Sequence, residues 1–407
     1  MARCQKLASF SEDATSLRRT FLSPPMHDVH REISSWLKAA GAEARVDAAG
    51  NLRATYPAEE TSAPHLLIGS HLDTVPNAGS YDGILGVVIA VALLEGLAGS
   101  RLPYSVEVVG FSEEEGVRFR TPFLGSRALT GTLDETSLNL QDAHGISVRR
   151  SIEEFGLNPG ELKRAQLSAD VCGYVEFHIE QGPVLEKMGL PLAVVEAIAG
   201  QSRLQLTFTG RANHAGTTPM DQRFDAVAGA AEWIVQVERL AKGVPGLVAT
   251  VGSVETIPGA VNVIAGEARV TLDVRHRADE VRRKAVGDLL LLAGNISERR
   301  GLSVSHESLM DEPAVAMDPF LSGQIEQAIR KAGSRPHRMS SGAGHDAMIL
   351  AERVPAAMIF LRTPGGISHD PAESVAVEDV AKAIECGLHL LHQLASSDAF
   401  HTRTCRA

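Results

Sequence analysis

Apolar and polar stretches alternate along the first 110 residues in a way that predicts an α/β arrangement. Ser11 to Ala40 carries apolar positions at helical spacing, with a break at Pro24-Pro25. Ala44-Arg45-Val46-Asp47 leads into the turn Ala49-Gly50-Asn51, and Leu52-Arg53-Ala54-Thr55-Tyr56 reads as a returning strand. His65-Leu66-Leu67-Ile68-Gly69 is a short, unbroken apolar run, as expected of a parallel strand covered on both faces. A helix is predicted from Gly83 to about Leu97 and a strand from Val106 to Phe111. Strand, helix, strand in that order is a βαβ unit.

From about Gly200 to Met310 the rhythm changes. Leu204-Gln205-Leu206-Thr207-Phe208-Thr209 alternates like a half-exposed strand. Asp225 to Leu240 predicts an amphipathic helix, Val248 to Val254 and Ala268 to Val274 two strands, Val281 to Arg299 a second helix, and Leu302 to His306 a last strand. The order β-α-β-β-α-β is that of a ferredoxin-like sandwich. The strand-helix rhythm resumes after Asp318. The chain therefore reads as a discontinuous α/β domain, residues 1–199 and 311–407, carrying an inserted α+β domain at 200–310.

Composition narrows the function classes. A chain of 407 residues is long enough for two domains. A net charge of −11 with no long Lys/Arg run argues against nucleic-acid binding. Arg282-Arg283-Lys284 and Arg299-Arg300 read as the solvated face of a helix. Cys4, Cys172, Cys386 and Cys405 lack CxxC spacing and suit free thiols in a reducing compartment. No basic-then-apolar leader is visible, and the longest apolar run, Ile84 to Leu94, is too short to span a bilayer. A cytoplasmic protein without a membrane partner is expected. Ser396 to Ala407 is polar and expected to fray.

The candidate chemistry lies where apolar runs give way to turns. Gly69-Ser70-His71-Leu72-Asp73, Tyr81-Asp82-Gly83, Ser112-Glu113-Glu114-Glu115-Gly116, Glu176-Phe177-His178-Ile179-Glu180-Gln181 and Ser368-His369-Asp370-Pro371 each place acids or histidines there. Taken together they suit two divalent metals sharing a bridging carboxylate. On an extended segment positions i and i+2 share a face, so Asp73 can orient the His71 imidazole. Taken singly, His71 also fits a strand cap, Asp82 a helix N-cap and the glutamate run a solvated loop. Three adjacent glutamates crowd like charges unless a cation is present. Glu176, His178 and Glu180 share one strand face, which suits a metal-lined wall. His345 fits either an orienting role or substrate contact.

In combination the motifs resemble the M20 metallopeptidase-like family of di-zinc hydrolases. More narrowly they resemble its branch of N-carbamoyl-L-amino acid hydrolases, β-ureidopropionases and allantoate amidohydrolases. The resemblance rests on His71-Leu72-Asp73-Thr74-Val75, Glu113 to Phe119, His178-Ile179-Glu180-Gln181-Gly182-Pro183, Asn213-His214-Ala215-Gly216-Thr217-Thr218-Pro219-Met220 and Gly342-Ala343-Gly344-His345-Asp346-Ala347. His178 marks the branch, since peptidase relatives usually carry a carboxylate there. Val117 departs from the pattern, standing where relatives often have Ser.

The resemblance implies two divalent ions per subunit, Zn or Mn/Co. Asp82 would bridge them, Glu115 and His369 would complete one site, and His71 and His178 the other. Glu114 would be the general base, and Asp73 would assist as the orienting acid. His214 would reach across a homodimer interface from the inserted lid/dimerisation domain to stabilise an oxyanion. Gln181, Asn262, Arg275 and Gly344 would hold a small ureido carboxylate, with Arg275 on its carboxylate. The expected reaction is hydrolysis of the ureido C–N bond of allantoate or an N-carbamoyl-L-amino acid, releasing ammonia and CO2. The alternative is an M20 aminoacylase or dipeptidase.

Overall fold

The apolar runs line up as a parallel core. Ser105–Phe111, His65–His71, Val171–Ile179 and Ala356–Leu361 are neighbours in that order and all run the same way. Leu52–Tyr56 and then Glu43–Val46 extend the sheet antiparallel on one side, and Leu192–Ile198 pairs antiparallel on the other. Every residue of Ser105–Phe111, Val171–Ile179 and Ala356–Leu361 is buried, which explains their lack of polar alternation. The computed structural model describes residues 1–401. Its contacts separate two units: residues up to Glu196 together with those from Met317 onward, and Ala197–Ala316. The insertion so defined is slightly wider than the 200–310 span read from the sequence.

In the first unit the helix Ile84–Gly96 packs on the sheet and is buried almost all round. Gly86 makes that approach feasible: an added Cβ would lie 2.1 Å from the Phe177 carbonyl oxygen. The expected helix across Ser11–Ala40 is only half present. Helices span Ala2–Ala8 and Pro25–Ala39, with Pro25 opening the second rather than breaking it. The segment between them is pinned instead by Arg19, which is fully buried and donates to the carbonyls of Leu72, Leu7 and Phe10. Tertiary bonds of this kind override helical spacing.

Away from the strand ends that carry the ligand motifs, His65 opens its strand between two acids. Its Nδ1 is 3.9 Å from Glu107 Oε2 and its Nε2 is 3.8 Å from Asp170 Oδ2. Glu107 is itself buried and pairs with Arg53 at 2.6 Å. Contact with Glu107 raises the imidazole above 6.5, against partial burial and the opposing charge of Arg53. Because the folded state binds this proton more tightly, the stabilisation is full below 6.5 and is lost as pH rises through the raised value. Urea melts of the wild type and a His65→Gln variant should therefore show the wild type's advantage shrinking from acid to mildly alkaline pH. A constant difference would remove this account of His65.

The second unit carries a five-stranded antiparallel sheet, four of whose strands follow the order Val254–Ile257, Glu267–His276, Gly200–Thr209, Ser303–Glu312. The short strand Val248–Thr250 also pairs with Glu267–His276, so the single strand expected from Val248 to Val254 is split in two. Helices Ala226–Gly243 and Asp279–Arg300 bury Trp233 and Leu289 against the alternate residues Leu204, Leu206 and Phe208. Arg282 corrects one sequence expectation. It is fully buried, donates to Asp279 Oδ1 and contacts Asp311 and Ser202, while Arg283 remains exposed.

The expected fraying from Ser396 does not hold up to His401. Asp398–His401 forms a helical turn, and Phe400 is buried with its ring 5.2 Å from that of Tyr104. Residues 402–407, with Cys405, lie outside the described residues. Cys4, Cys172 and Cys386 are buried free thiols. Among the described residues no helix is long and apolar enough to cross a membrane.

Candidate metal and active site

Parallel strands bring their carboxyl ends to one edge of a sheet, where the chain turns and side chains can converge. That edge carries Asp73 after His65–His71, the glutamate run after Ser105–Phe111, and His178 and Gln181 at the end of Val171–Ile179. Asp82 sits in the crossover just before the helix Ile84–Gly96, and His369 follows Ala356–Leu361. Gln181 and His369 both have positive φ, at 58° and 57°, so the backbone itself is bent to aim them.

Asp82 stands between two clusters. His178 Nε2 lies 3.2 Å from Asp82 Oδ1 and 3.5 Å from His71 Nε2, and His71 Nε2 lies 3.7 Å from the same carboxylate oxygen. On the other side, His369 Nε2 is 3.2 Å from Asp82 Oδ2 and 3.5 Å from Glu115 Oε1. The Nδ1 atoms of His71 and His178 donate to the carbonyls of Asp73 and Ile179, at 3.0 and 2.9 Å. Each Nε2 is thereby turned inward. Asp82 Oδ1 is left buried without a hydrogen-bond partner.

The pocket draws positive charge. Burial would raise Asp82, but His178, His369 and His71 hold it well below the usual carboxylate range. Burial opposes protonation of His71, yet contacts with Asp73 and Asp82 raise it well above 6.5. Inward imidazoles around an unpartnered carboxylate oxygen are a donor set that fits a divalent cation. His71, Asp82 and His178 offer one such group, and Asp82, Glu115 and His369 a second.

Glu114 lies beside these groups with its own carboxylate near His71 and Glu115. Burial pushes it well above the usual range; His71 opposes this, and Glu115, Asp346 and Asp73 add to it. Burial, with Asp82 adding, brings Glu115 to about 7. The Asp73 carboxylate fixes this loop: Oδ1 accepts from Glu114 N at 2.9 Å and Oδ2 from Glu115 N at 3.1 Å. It lies 3.4 Å from His71 Nδ1, farther than the Asp73 carbonyl that accepts from the ring. Asp73 therefore serves the acidic loop as much as the histidine. Gln181 Nε2 donates to Asp82 Oδ2 at 3.0 Å.

One expectation is corrected. Glu180 belongs to none of the metal-capable groups among the described residues; it accepts from Val184 N and Leu185 N and caps a short helix. Glu176 does stand with His178 as expected, in a further group able to hold an ion, while its carboxylate also accepts from Ser70 Oγ and Ala347 N. His345, next to Gly344, is buried with Nε2 2.9 Å from Ser341 Oγ and its ring 4.4 Å from that of His178. It stands with Glu176 and His178 as a group able to hold an ion.

Glu373 was missed. Its Oε1 accepts from Tyr81 N and Asp82 N at 2.9 and 3.1 Å, and its Oε2 accepts from Ser368 Oγ at 3.1 Å. One buried carboxylate thus ties the Asp82 loop to the His369 loop. Gly79 leaves room for it, since a Cβ there would lie 2.4 Å from the glutamate side chain. The only sequence signal was its place four residues after His369. Glu373→Ala leaves two backbone donors unpaired and is expected to weaken divalent-ion binding about tenfold. Glu373→Gln, which keeps an acceptor, should recover most of it. Chelator competition measures both; equal binding by wild type and Glu373→Ala would contradict the assignment.

The remaining candidates lie in the second unit. His214 is exposed on the short strand Asn213–His214, opposite Val263, and Ala215 N donates to the Asn262 carbonyl at 2.9 Å. Arg275 pairs in register with Gln201, and its guanidinium is held by Asp273 at 2.8 and 3.0 Å. The strand from Glu267 to Arg275 is about 27 Å long at the usual rise per residue. His214 and Asn262 lie beyond its Glu267 end. The chain reaches them only after leaving the sheet at that end, away from Arg275.

Comparison with known proteins identifies the family. A profile of peptidase family M20/M25/M40 matches residues 67–393. The chain is 41% identical to an allantoate deiminase of Arabidopsis thaliana, covering 97% of this chain and 81% of that protein. It is 38% identical to an N-carbamoyl-L-amino acid amidohydrolase of Geobacillus stearothermophilus, covering 90% of each. A crystal structure of a hydantoinase/carbamoylase family amidase from Burkholderia ambifaria superposes with a TM-score of 0.90 at 31% identity, covering 100% of this chain and 97% of that one. By sequence and by fold, the chain belongs to peptidase family M20/M25/M40.

Proposed function

We propose that this protein hydrolyses the ureido C–N bond of a small carboxylate, allantoate or an N-carbamoyl-L-amino acid, releasing ammonia and CO2. The observation that carries this reading is the pair of clusters sharing Asp82 with Glu114 alongside, in a chain similar to both an allantoate deiminase and an N-carbamoyl-L-amino acid amidohydrolase. His71, His178 and Asp82 would hold one divalent cation and Asp82, Glu115 and His369 a second, Zn or Mn/Co. Bound there, such ions lower the pKa of water toward ~7 and polarise a carbonyl.

The chain's own groups do the rest. Glu114 takes the proton of the attacking water and returns it to the leaving nitrogen. Asp73 holds Glu114 in place through the backbone. His214 donates to the oxygen that becomes negative. Arg275, oriented by Asp273, pairs with the substrate carboxylate, and Gln181, Asn262 and Gly344 complete the grip. The separation of Arg275 from His214 and Asn262 supports delivery of the latter two by a second copy. The inserted unit is therefore assigned both dimer contact and lid. Free buried thiols favour a reducing, cytoplasmic setting.

Product accounting tests the reaction. Metal-loaded protein given an N-carbamoyl-L-amino acid should release ammonia, CO2 and the free amino acid in equal amounts. Turnover without CO2 would mean that the ureido carbon is not the one attacked.

A further inference from the structure

A histidine that meets a developing oxyanion must present an N–H, and a neutral imidazole can carry its proton on either nitrogen. Here the backbone makes the choice. Gly216 N donates to His214 Nδ1 at 3.0 Å. An amide N–H can only donate, so Nδ1 accepts and the neutral ring carries its proton on Nε2.

The loop that supplies this bond is fastened from outside. Thr218 donates from both N and Oγ1 to the His214 carbonyl, at 3.2 and 2.8 Å. Arg223 then closes the segment, with Nε donating to the Thr218 carbonyl at 3.1 Å and Nη2 to the Ala215 carbonyl at 2.7 Å. Its two carbonyl partners flank Gly216. A Cβ at position 216 would lie 3.2 Å from His214 Cε1, so a glycine lets the amide sit beside the ring.

We propose that Arg223 and the Gly216 N–H are positioning groups that hold His214 as an Nε2–H donor before substrate arrives. The inference rests on the oxyanion role of His214 given above and names what sets it. Preorganised donors stabilise a transition state without reorganising at the moment of reaction. A loop free to exchange tautomers would present a lone pair for part of the time.

The test is made on full-length, metal-loaded protein labelled with [15N]histidine, with the His214 ring signals assigned by their loss in His214→Asn. The wild-type neutral ring should show the Nε2–H pattern. Arg223→Ala should show mixed tautomers and about a tenfold lower kcat with little change in KM, and Arg223→Lys should recover part of both. An Nδ1–H pattern in the wild type would overturn the proposal. So would an Arg223→Ala protein with the wild-type tautomer and wild-type kcat. Unchanged kcat in His214→Ala removes the oxyanion role itself, and with it the purpose assigned to Arg223, whichever tautomer is seen.

Discussion

Glu114→Gln should lower turnover about 1,000-fold while leaving the divalent-ion content of the protein unchanged. The amide keeps the length and shape of the side chain, so the loop should stay in place. Its backbone anchor, Glu114 N to Asp73 Oδ1, does not involve the carboxylate. Neither of the two groups built on Asp82 includes Glu114. What the substitution removes is the ability to take a proton. Metal analysis and kcat on the same preparation separate the two effects. Near-full turnover with metal content intact would remove Glu114 as the base. Loss of metal along with turnover would make it a ligand instead.

Asp82→Asn should have the opposite signature, with loss of both ions and of turnover together. Asp82 is the one residue common to the His71–His178 group and the Glu115–His369 group. Removing its charge weakens both groups, whereas changing a terminal histidine weakens one. The metal-free variant should also be less stable than the metal-free wild type at neutral pH, because His178, His369 and His71 hold the Asp82 carboxylate well below its usual range and that stabilisation is lost with the charge. Ion stoichiometry and thermal melts with and without chelator measure this. Retention of one tightly held ion would show that the two groups do not depend equally on Asp82.

The ligand cluster was legible in the sequence because parallel strands make it so. Each of His71, Glu115, His178 and His369 follows or ends a strand of the central sheet, and strand ends of that kind share one edge. Asp82 was legible through its glycine neighbour before an apolar helix. Groups that act through the backbone were not. Glu373 contacts the Tyr81 and Asp82 amides from nearly 300 residues away, and no local pattern announces such a bond. Glu180 carried the alternation of a ligand wall, yet its carboxylate satisfies the first amides of a helix.

The same limit explains the errors of fold. Ser11 to Leu22 has helical spacing, but burying Arg19 against three carbonyls outweighs local propensity. Arg282 sits in a basic run yet is buried because Asp279 and Asp311 neutralise it. In both cases a tertiary partner, invisible to a local window, decides the outcome. The inserted unit was read more fully because its signals are local: two-residue alternation in Gly200–Thr209 and Asp225 capping the helix Ala226–Gly243.

The central claim is ureido hydrolysis, and its most direct test is kcat/KM for the N-carbamoyl and N-acetyl forms of one L-amino acid, with allantoate and N-carbamoyl-β-alanine alongside. The account predicts rapid ammonia release from at least one ureido compound and no turnover of the acetyl compound. Turnover of the acetyl compound alone, detected as free amine, would contradict it and make this chain an acylase despite His178.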